Sequence, residues 1–329
     1  MEKPLVSVIC CFYRENPAWV RQSVESILSQ TYRHFEFIMI CDDPENGPLV
    51  DLLKKYASAD PRILLIVNGQ NIGITRSLNK GLQIAGGEFI ARMDADDIAL
   101  PDRLEKQVSY LAAHTETSIC ATDVNTINSR GRIIRRHKYR GLDNQKYLFC
   151  RNIYAHPSIM FRKDILRYRT PLYNEEFRYA QDYELWAFLL LQGCRFHMLE
   201  EALLLYRKSE RQISSGHRRE QRGLFKKAHK ALVTDWLAKK GIIDVKDDCS
   251  PEIMLQKANG AYRINSGKDR EYLEIVIYIL YFTLATYDRR YVWRYFTDRN
   301  RIAFKVDLLL TWRLIASRKT RCDRSGFLP

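Results

Sequence analysis

Three carboxylates crowd into four residues at Asp94-Ala95-Asp96-Asp97. Such a group repels itself unless a cation or hydrogen-bond donors offset the charge. Carboxylate oxygens are the ligands of Mg²⁺ and Mn²⁺, ions commonly shared with substrate phosphates. Asp94 and Asp96 are therefore the candidate metal ligands. Asp97 either joins them or caps a helix, although Asp102, just after Pro101, suits capping better. A second acidic pair, Asp42-Asp43, can accept the imide N–H of a uracil ring. Its other reading is turn chemistry in Asp42-Asp43-Pro44-Glu45-Asn46-Gly47. In Asn71-Ile72-Gly73 the glycine permits close backbone approach, and Arg76, followed by Asn79, can face a diphosphate. The alternative there is a helix start with an exposed arginine. Asp182, in Gln181-Asp182-Tyr183-Glu184, is either a helix cap or a base aimed into the site. Glu175, Glu176 and Glu184 compete for that second task.

These groups act together only if the chain brings them to one place. Val6–Phe12 is a short apolar run with β-branched residues and reads as a buried strand. Phe35–Cys41, Ile63–Asn68 and Glu88–Met93 read the same way. Helical spacing fills the gaps at Pro17–Gln30, Leu49–Tyr56 and Thr75–Ala85, the last ending at Gly86-Gly87. Strand–helix alternation with short links implies a mostly parallel sheet covered on both faces. Ligands of such sheets bind outside the carboxyl ends of the strands. Asp42-Asp43 follow the second strand, Asn68 to Gly73 the third, and Asp94, Asp96 and Asp97 the fourth, so all three groups fall at one edge. Further on, Asp102–Ala113 reads as a helix, 114–150 as strands and a loop, Ser158–Phe161 as a strand and Tyr179–Leu191 as a helix. Leu185, Trp186 and Leu189 give that last helix an apolar stripe. There is no internal repeat and no low-complexity tract.

The chain has 329 residues, 46% hydrophobic and 28% charged, which suits a large folded domain with a smaller one appended. Eight scattered cysteines without a C-x-x-C pair read as reduced thiols. Met1-Glu2-Lys3-Pro4 leads straight into the first strand, with no secretory segment, so a cytoplasmic protein is expected. Residues 217–329 carry 24 Lys and Arg against 13 Asp and Glu; residues 1–216 carry 29 against 26. The basic, aromatic-rich last third suits an anionic partner. Its 13 uncharged residues Ile275–Tyr287 are too few to cross a bilayer. Within Ile302–Ala316, Phe304, Leu308, Trp312 and Ile315 share about one helical face, which suits a helix lying in a headgroup layer.

Taken in order, the motifs resemble family 2 glycosyltransferases over about residues 4–216. The resemblance runs from Val6-Ser7-Val8-Ile9 and Tyr13 through Ser29-Gln30-Thr31-Tyr32 and Phe35-Glu36-Phe37-Ile38 to Asp42-Asp43. It continues with Asn71-x-Gly73, Asn79-x-Gly81, Ala85-Gly86-Gly87-Glu88-Phe89-Ile90 and Asp94-Ala95-Asp96-Asp97. His156-Pro157-Ser158, Gln181-Asp182-Tyr183-Glu184-Leu185-Trp186, and Tyr206-Arg207 through Gln212-Ile213-Ser214 close it. It implies an α/β fold of the GT-A type and an inverting transfer from a nucleotide-sugar, with UDP the expected nucleotide, to a glycan or lipid-linked acceptor of a surface polysaccharide. It implies nucleotide contacts at Tyr13, Asp42, Asp43, Asn71, Gly73, Arg76, Asp94 and Ala95, Mn²⁺ or Mg²⁺ on Asp94 and Asp96, and Asp182 as the base. Two residues depart from the pattern: Gln181 replaces a Glu, and Ser209 stands where many members have His, with His217 nearby. The expected layout is a catalytic domain over 1–216, its nucleotide half about 1–100 and acceptor half about 101–216. A basic helical region over 217–329 would then hold the protein peripherally at the inner face of the membrane.

Two other classes share some of these features. A sugar nucleotidyltransferase also has an acidic site on an α/β sheet. It needs a glycine-rich basic phosphate loop after the first strand, where Cys11-Phe12-Tyr13-Arg14 stands instead. A nucleic-acid-binding protein would account for the basic end but not for acidic clusters at strand ends, and no binding module is recognisable. Nucleic acid is therefore not an expected partner.

Overall fold

The computed structural model describes residues 3–136, 144–208, 217–244, 250–287 and 290. Ser209, Gln212-Ile213-Ser214, the boundary at Gly216 and the segment Ile302–Ala316 lie outside them. The chain divides into two compact units, one of residues 1–145 with 153–221, the other of 146–152 with 222–329.

Among the described residues, the first unit is built on a nine-stranded sheet. Strands β1 (Val6–Phe12), β2 (Phe35–Cys41), β3 (Ile63–Val67) and β4 (Phe89–Asp94) form its parallel half in the order β3-β2-β1-β4. β1 and β2 are buried along almost their whole length, which is why they read as continuous apolar runs. The intervening helices are α1 (Pro17–Leu28), α2 (Gly47–Ala59) and α3 (Ile74–Ile84). Asn16 caps α1, its side chain accepting from Ala18 N–H, with Pro17 in the first turn. Asn46 caps α2 in the same way through Leu49 N–H. α3 lies close on the sheet because Gly81 has no side chain. A Cβ there would meet Ile40 Cδ1 at 2.8 Å and Ile9 Cγ2 at 2.9 Å.

Beyond β4 the sheet becomes mixed. It continues through β5 (Ile98–Ala99), β6 (Ile119–Ile127), β7 (Ile133–Arg136), β8 (Met160–Arg162) and β9 (Phe196–Arg207). β8 lies between β4 and β6, antiparallel to both, and β9 runs parallel to β6 with β5 on its far side. Helices α4 (Arg103–Ala113) and α5 (Gln181–Leu191) complete the unit. Two differences from the sequence reading stand out. Ser158 lies in a 3₁₀ turn rather than a strand, because Pro157 offers no N–H and both Ser158 N–H and Oγ bond to Ala155 O. β9 has no counterpart among the expected elements. Its Leu, Ala and Glu are helix formers, and Glu200-Glu201 interrupts its alternation where the register with β6 shifts.

In the second unit, α6 (Arg218–Lys239), α7 (Pro251–Ile264) and α8 (Gly267–Tyr287) supply the core residues Leu232, Trp236, Met254, Ala258, Val276 and Leu280. The uncharged run from Ile275 is buried there as far as Tyr281. Among the described residues, no helix is long and apolar enough to cross a membrane. The six described cysteines, Cys10, Cys11, Cys41, Cys120, Cys150 and Cys194, are free thiols.

Candidate active site

Parallel pairing of β3, β2, β1 and β4 puts their carboxyl ends side by side, so the loops bearing Asn68–Gly73, Asp42-Asp43, Tyr13 and Asp94–Asp97 meet. β9 extends this edge, because it ends beside the same acidic loop. Arg207 N–H donates to Asp97 Oδ1 at 2.7 Å, and Arg207 Nε donates to the Asp96 carbonyl at 2.7 Å.

The acidic cluster is tightly drawn. One oxygen from each of Asp94, Asp96 and Asp97 lies within 4.8 Å of the others. Asp94 pairs with Arg92, an almost fully buried arginine two residues back on the same strand. Burial disfavours the Arg92 charge, and Asp94 more than restores it. Burial, then the neighbouring Asp94, holds the Asp96 carboxyl well above the usual range. Asp97 is fully buried and also raised, by burial and by both neighbours. Its Oδ2 has no partner among the described residues. Like charges and an unpaired buried oxygen in one cluster are the conditions a divalent cation relieves, so these residues fit one. Asp97, left open between ligation and capping, does not cap: α4 starts six residues later, and the bond from Arg207 fixes its carboxyl. Asp102 stands at the N-cap position of α4 without a side-chain capping bond and pairs with Lys106 instead.

The two members of the other acidic pair differ. Asp42 Oδ1 accepts from Asn68 Nδ2 at 2.8 Å and Ile72 N–H at 2.9 Å, and Oδ2 from Gly73 N–H at 2.8 Å. Asp42 thus ties the loop after β3 to the end of β2. Gly73 has φ +84°, a left-handed conformation that glycine adopts without strain. Among the described residues, the Asp43 carboxylate accepts from Asn46 Nδ2 alone, on Oδ2, which leaves Oδ1 open to them. Replacing Asp42 by Ala orphans three donors and should cost on the order of 3 kcal/mol of stability. Asp43→Ala should leave the melting temperature nearly unchanged and weaken nucleotide binding. Calorimetric melts beside nucleotide titrations check both, and equal losses of stability would contradict the division.

The remaining expected residues are scattered around this edge. Tyr13 is exposed on the loop after β1, under the Arg14 guanidinium 5.0 Å from its ring centre, and Arg14 has φ +60°. Asn71 is exposed, and Ala95 is buried between the aspartates. Arg76 is exposed on the first turn of α3 and donates to Glu175 at 2.8 Å. Asn79 does not reach the edge: its amide forms a two-bond pair with the backbone of Tyr173, 2.9 Å each way. Asp182 is half-buried in the first turn of α5, where the helix dipole favours its negative charge. Burial raises the Tyr173 hydroxyl, Arg92 opposes the rise, and Asp182 and Asp94 both add to it, so the two carboxylates bear on one hydroxyl. Of its competitors, Glu184 is held by Arg169 through bonds of 2.6 and 2.8 Å, and Glu175 by Arg76. His217 stacks on Tyr179, ring centres 4.3 Å apart.

Two site residues, Arg92 and Glu15, escaped the sequence reading, and two more, Tyr206 and His156, entered it as motif residues with no role assigned. Arg92 is the one charged residue within an otherwise apolar strand up to Asp94, a signal that was visible. Glu15 accepts from Tyr13 N–H, and burial pushes its carboxyl up to about 8, with Asp96 and Asp94 adding to the effect. Tyr206, next to Arg207, is pushed up by burial and by Asp97, Asp94 and Asp96. His156 donates to or accepts from the Tyr173 hydroxyl at 2.8 Å, and burial, then Arg92, keeps it neutral.

Residues 7–169 match the family described as glycosyl transferase family 2. An uncharacterized glycosyltransferase of Methanocaldococcus jannaschii is 38% identical over 210 residues, covering 63% of this chain and 72% of its own. The O-antigen biosynthesis glycosyltransferase WbnJ of Escherichia coli is 34% identical over 207 residues, covering 62% and 79%. Among solved structures, S. aureus TarS in complex with UDP-GlcNAc superposes with a TM-score of 0.55 at 15% identity, over 95% of this chain and 79% of that one. That likeness is one of fold, and it matches the α/β, GT-A arrangement expected above. With relatives this similar over most of their length and the acidic edge in place, the chain belongs to glycosyl transferase family 2.

Proposed function

We propose that this chain is an inverting, metal-dependent glycosyltransferase that moves a sugar from a UDP-sugar to a glycan or lipid-linked acceptor in surface-polysaccharide assembly. The observation that carries the reading is the cluster of Asp94, Asp96 and Asp97 at the strand edge, with the open oxygen of Asp43 on the same edge. The name of WbnJ, an O-antigen enzyme, and the UDP-GlcNAc bound by TarS support the substrate class.

Asp94 and Asp96 would hold Mn²⁺ or Mg²⁺. When bound, such an ion offsets the charge that grows on the departing diphosphate. Asp43 accepts the base N–H, and Tyr13 and Asn71, both exposed, flank the nucleotide. Arg76 exchanges Glu175 for phosphate oxygens. Asp182 takes the proton of the acceptor hydroxyl as that oxygen attacks the sugar C1 from the face opposite the leaving group. The C1–O bond to the diphosphate breaks as the new one forms, so an α-linked donor gives a β-linked product. The basic region 217–329 would hold the enzyme peripherally at the cytoplasmic face of the membrane, and high salt would release it.

The test is incubation with a panel of nucleotide sugars and Mn²⁺, followed by analysis of the released products. Slow hydrolysis of one donor to free nucleoside diphosphate is the expected result. A nucleotidyltransferase would release no nucleoside diphosphate from these donors, and would release pyrophosphate only when given a nucleoside triphosphate with a sugar 1-phosphate.

A further inference from the structure

β6 and β7 form a hairpin whose outer strand is exposed along its length: Ile133, Ile134, Arg135 and Arg136 are all exposed, the two isoleucines at 44% and 55%. Neighbouring side chains of a strand point to opposite faces, so both faces of β7 are open to solvent in part. Arg130 and Arg132 in the turn bring the arginines to four. No acidic residue occurs from Val124 to Leu142, and the sequence adds Lys138 and Arg140 just beyond β7. One charge suffices to keep an exposed edge strand from pairing with another chain. Four described arginines around two exposed isoleucines, in a stretch of sequence without an acidic residue, exceed that need.

The hairpin is also rigid. Asn128 Oδ1 accepts from Arg130 N–H and Arg132 N–H at 3.0 Å each, and Gly131 takes φ +79° to close the turn. Trp19 Nε1 donates to Ser129 O at 3.2 Å, and Arg207 Nη1 to Asn128 O at 3.2 Å. Arg207 is the residue whose Nε holds the Asp96 carbonyl, so one side chain separates the hairpin turn from the acidic cluster. Fixing the apolar pair in advance lowers the ordering cost of docking.

We propose that this hairpin docks on an anionic lipid surface, the isoleucines entering the headgroup layer and the arginines meeting lipid phosphates. Apolar and cationic groups at one tip match a surface that is apolar beneath and anionic above. A soluble polyanionic glycan would use the arginines alone. The proposal is independent of the donor chemistry and of the basic region 217–329, and lipid partition tests it without any activity assay.

The experiment is sedimentation of the full chain with phosphatidylcholine vesicles, with and without phosphatidylglycerol, at low salt. Two variants are compared, Arg135→Gln with Arg136→Gln, and Ile133→Ser with Ile134→Ser. Both alter exposed residues, and unchanged melting temperatures verify folding. At ~1 kcal/mol per basic residue, the arginine pair should weaken binding to anionic vesicles about 30-fold. The isoleucine pair should weaken it about tenfold. Wild-type partition by either variant overturns the proposal, as does absence of binding by the wild type. Loss with the arginine variant alone, matched by lost retention on a sulfated polysaccharide resin, points to a polyanionic glycan and overturns the lipid reading.

Discussion

Asp96→Ala loses sugar transfer by on the order of 10³-fold, the scale of removing one preorganised stabiliser of leaving-group charge. Excess EDTA has the same effect on the wild type, and Mn²⁺ or Mg²⁺ restores it. The fold survives, because Asp96 lies at a strand-end loop and its side chain packs no core. Stability carries a second signature. Burial, then Asp94, raises the Asp96 carboxyl to about 7, against ~4 for a free side chain. Between those values the folded chain binds a proton that the unfolded chain has lost, so stability falls as pH rises through the window. A divalent ion needs the ionised carboxylate and therefore reverses that slope. Thermal melts of the wild type should fall from pH 5 to pH 7 (roughly the window just given) without metal, and the ion should raise them most at the upper end. Asp96→Ala should make both trends shallower, what remains coming from Asp97 and Glu15, whose carboxyls are raised too. Full activity in chelator, or a metal effect undiminished in the variant, would sink the assignment of Asp96.

Asp182→Asn keeps the size of the side chain, removes the proton acceptor, and lowers the transfer rate by about 10²–10⁴-fold. Donor binding persists, because the nucleotide contact proposed at Asp43 and the metal ligands proposed at Asp94 and Asp96 are other side chains. The neighbouring carboxylates serve as controls with distinct outcomes. Glu184→Gln breaks the two bonds to Arg169, so it should lower melting temperature more than rate. Glu175→Gln frees Arg76 from an exposed pair and should change stability little. Single-turnover rates beside donor titrations separate these cases. A near-normal rate for Asp182→Asn with a dead Glu176→Gln would mean that the base is the wrong carboxylate.

The sequence alone determined the parallel half of the sheet and the edge where the polar loops gather. β1, β2, β3 and β4 are short apolar runs separated by segments of helical spacing, and those signals are local. Once strand and helix alternate, the carboxyl ends must align, so the grouping of Asp42-Asp43, Asn71–Gly73 and Asp94–Asp97 was legible before any coordinates. The mixed half was not. β9 is written in helix-forming residues with a break at Glu200-Glu201, and it is a strand because β6 and β5 pair with it across the sheet. That long-range pairing brings Tyr206 and Arg207 to the acidic loop. Nor could spacing tell Asp42 from Asp43. Adjacent residues at a strand end diverge, and only the path of the loop after β3 decides which carboxylate meets Asn68, Ile72 and Gly73. The same holds for Arg92, whose charge is tolerable inside the sheet because Asp94 sits beside it. Local pattern sets which elements form; the fate of each polar atom depends on partners tens of residues away, and burial makes that fate decisive, because a charge or donor without a partner is far costlier there than in water.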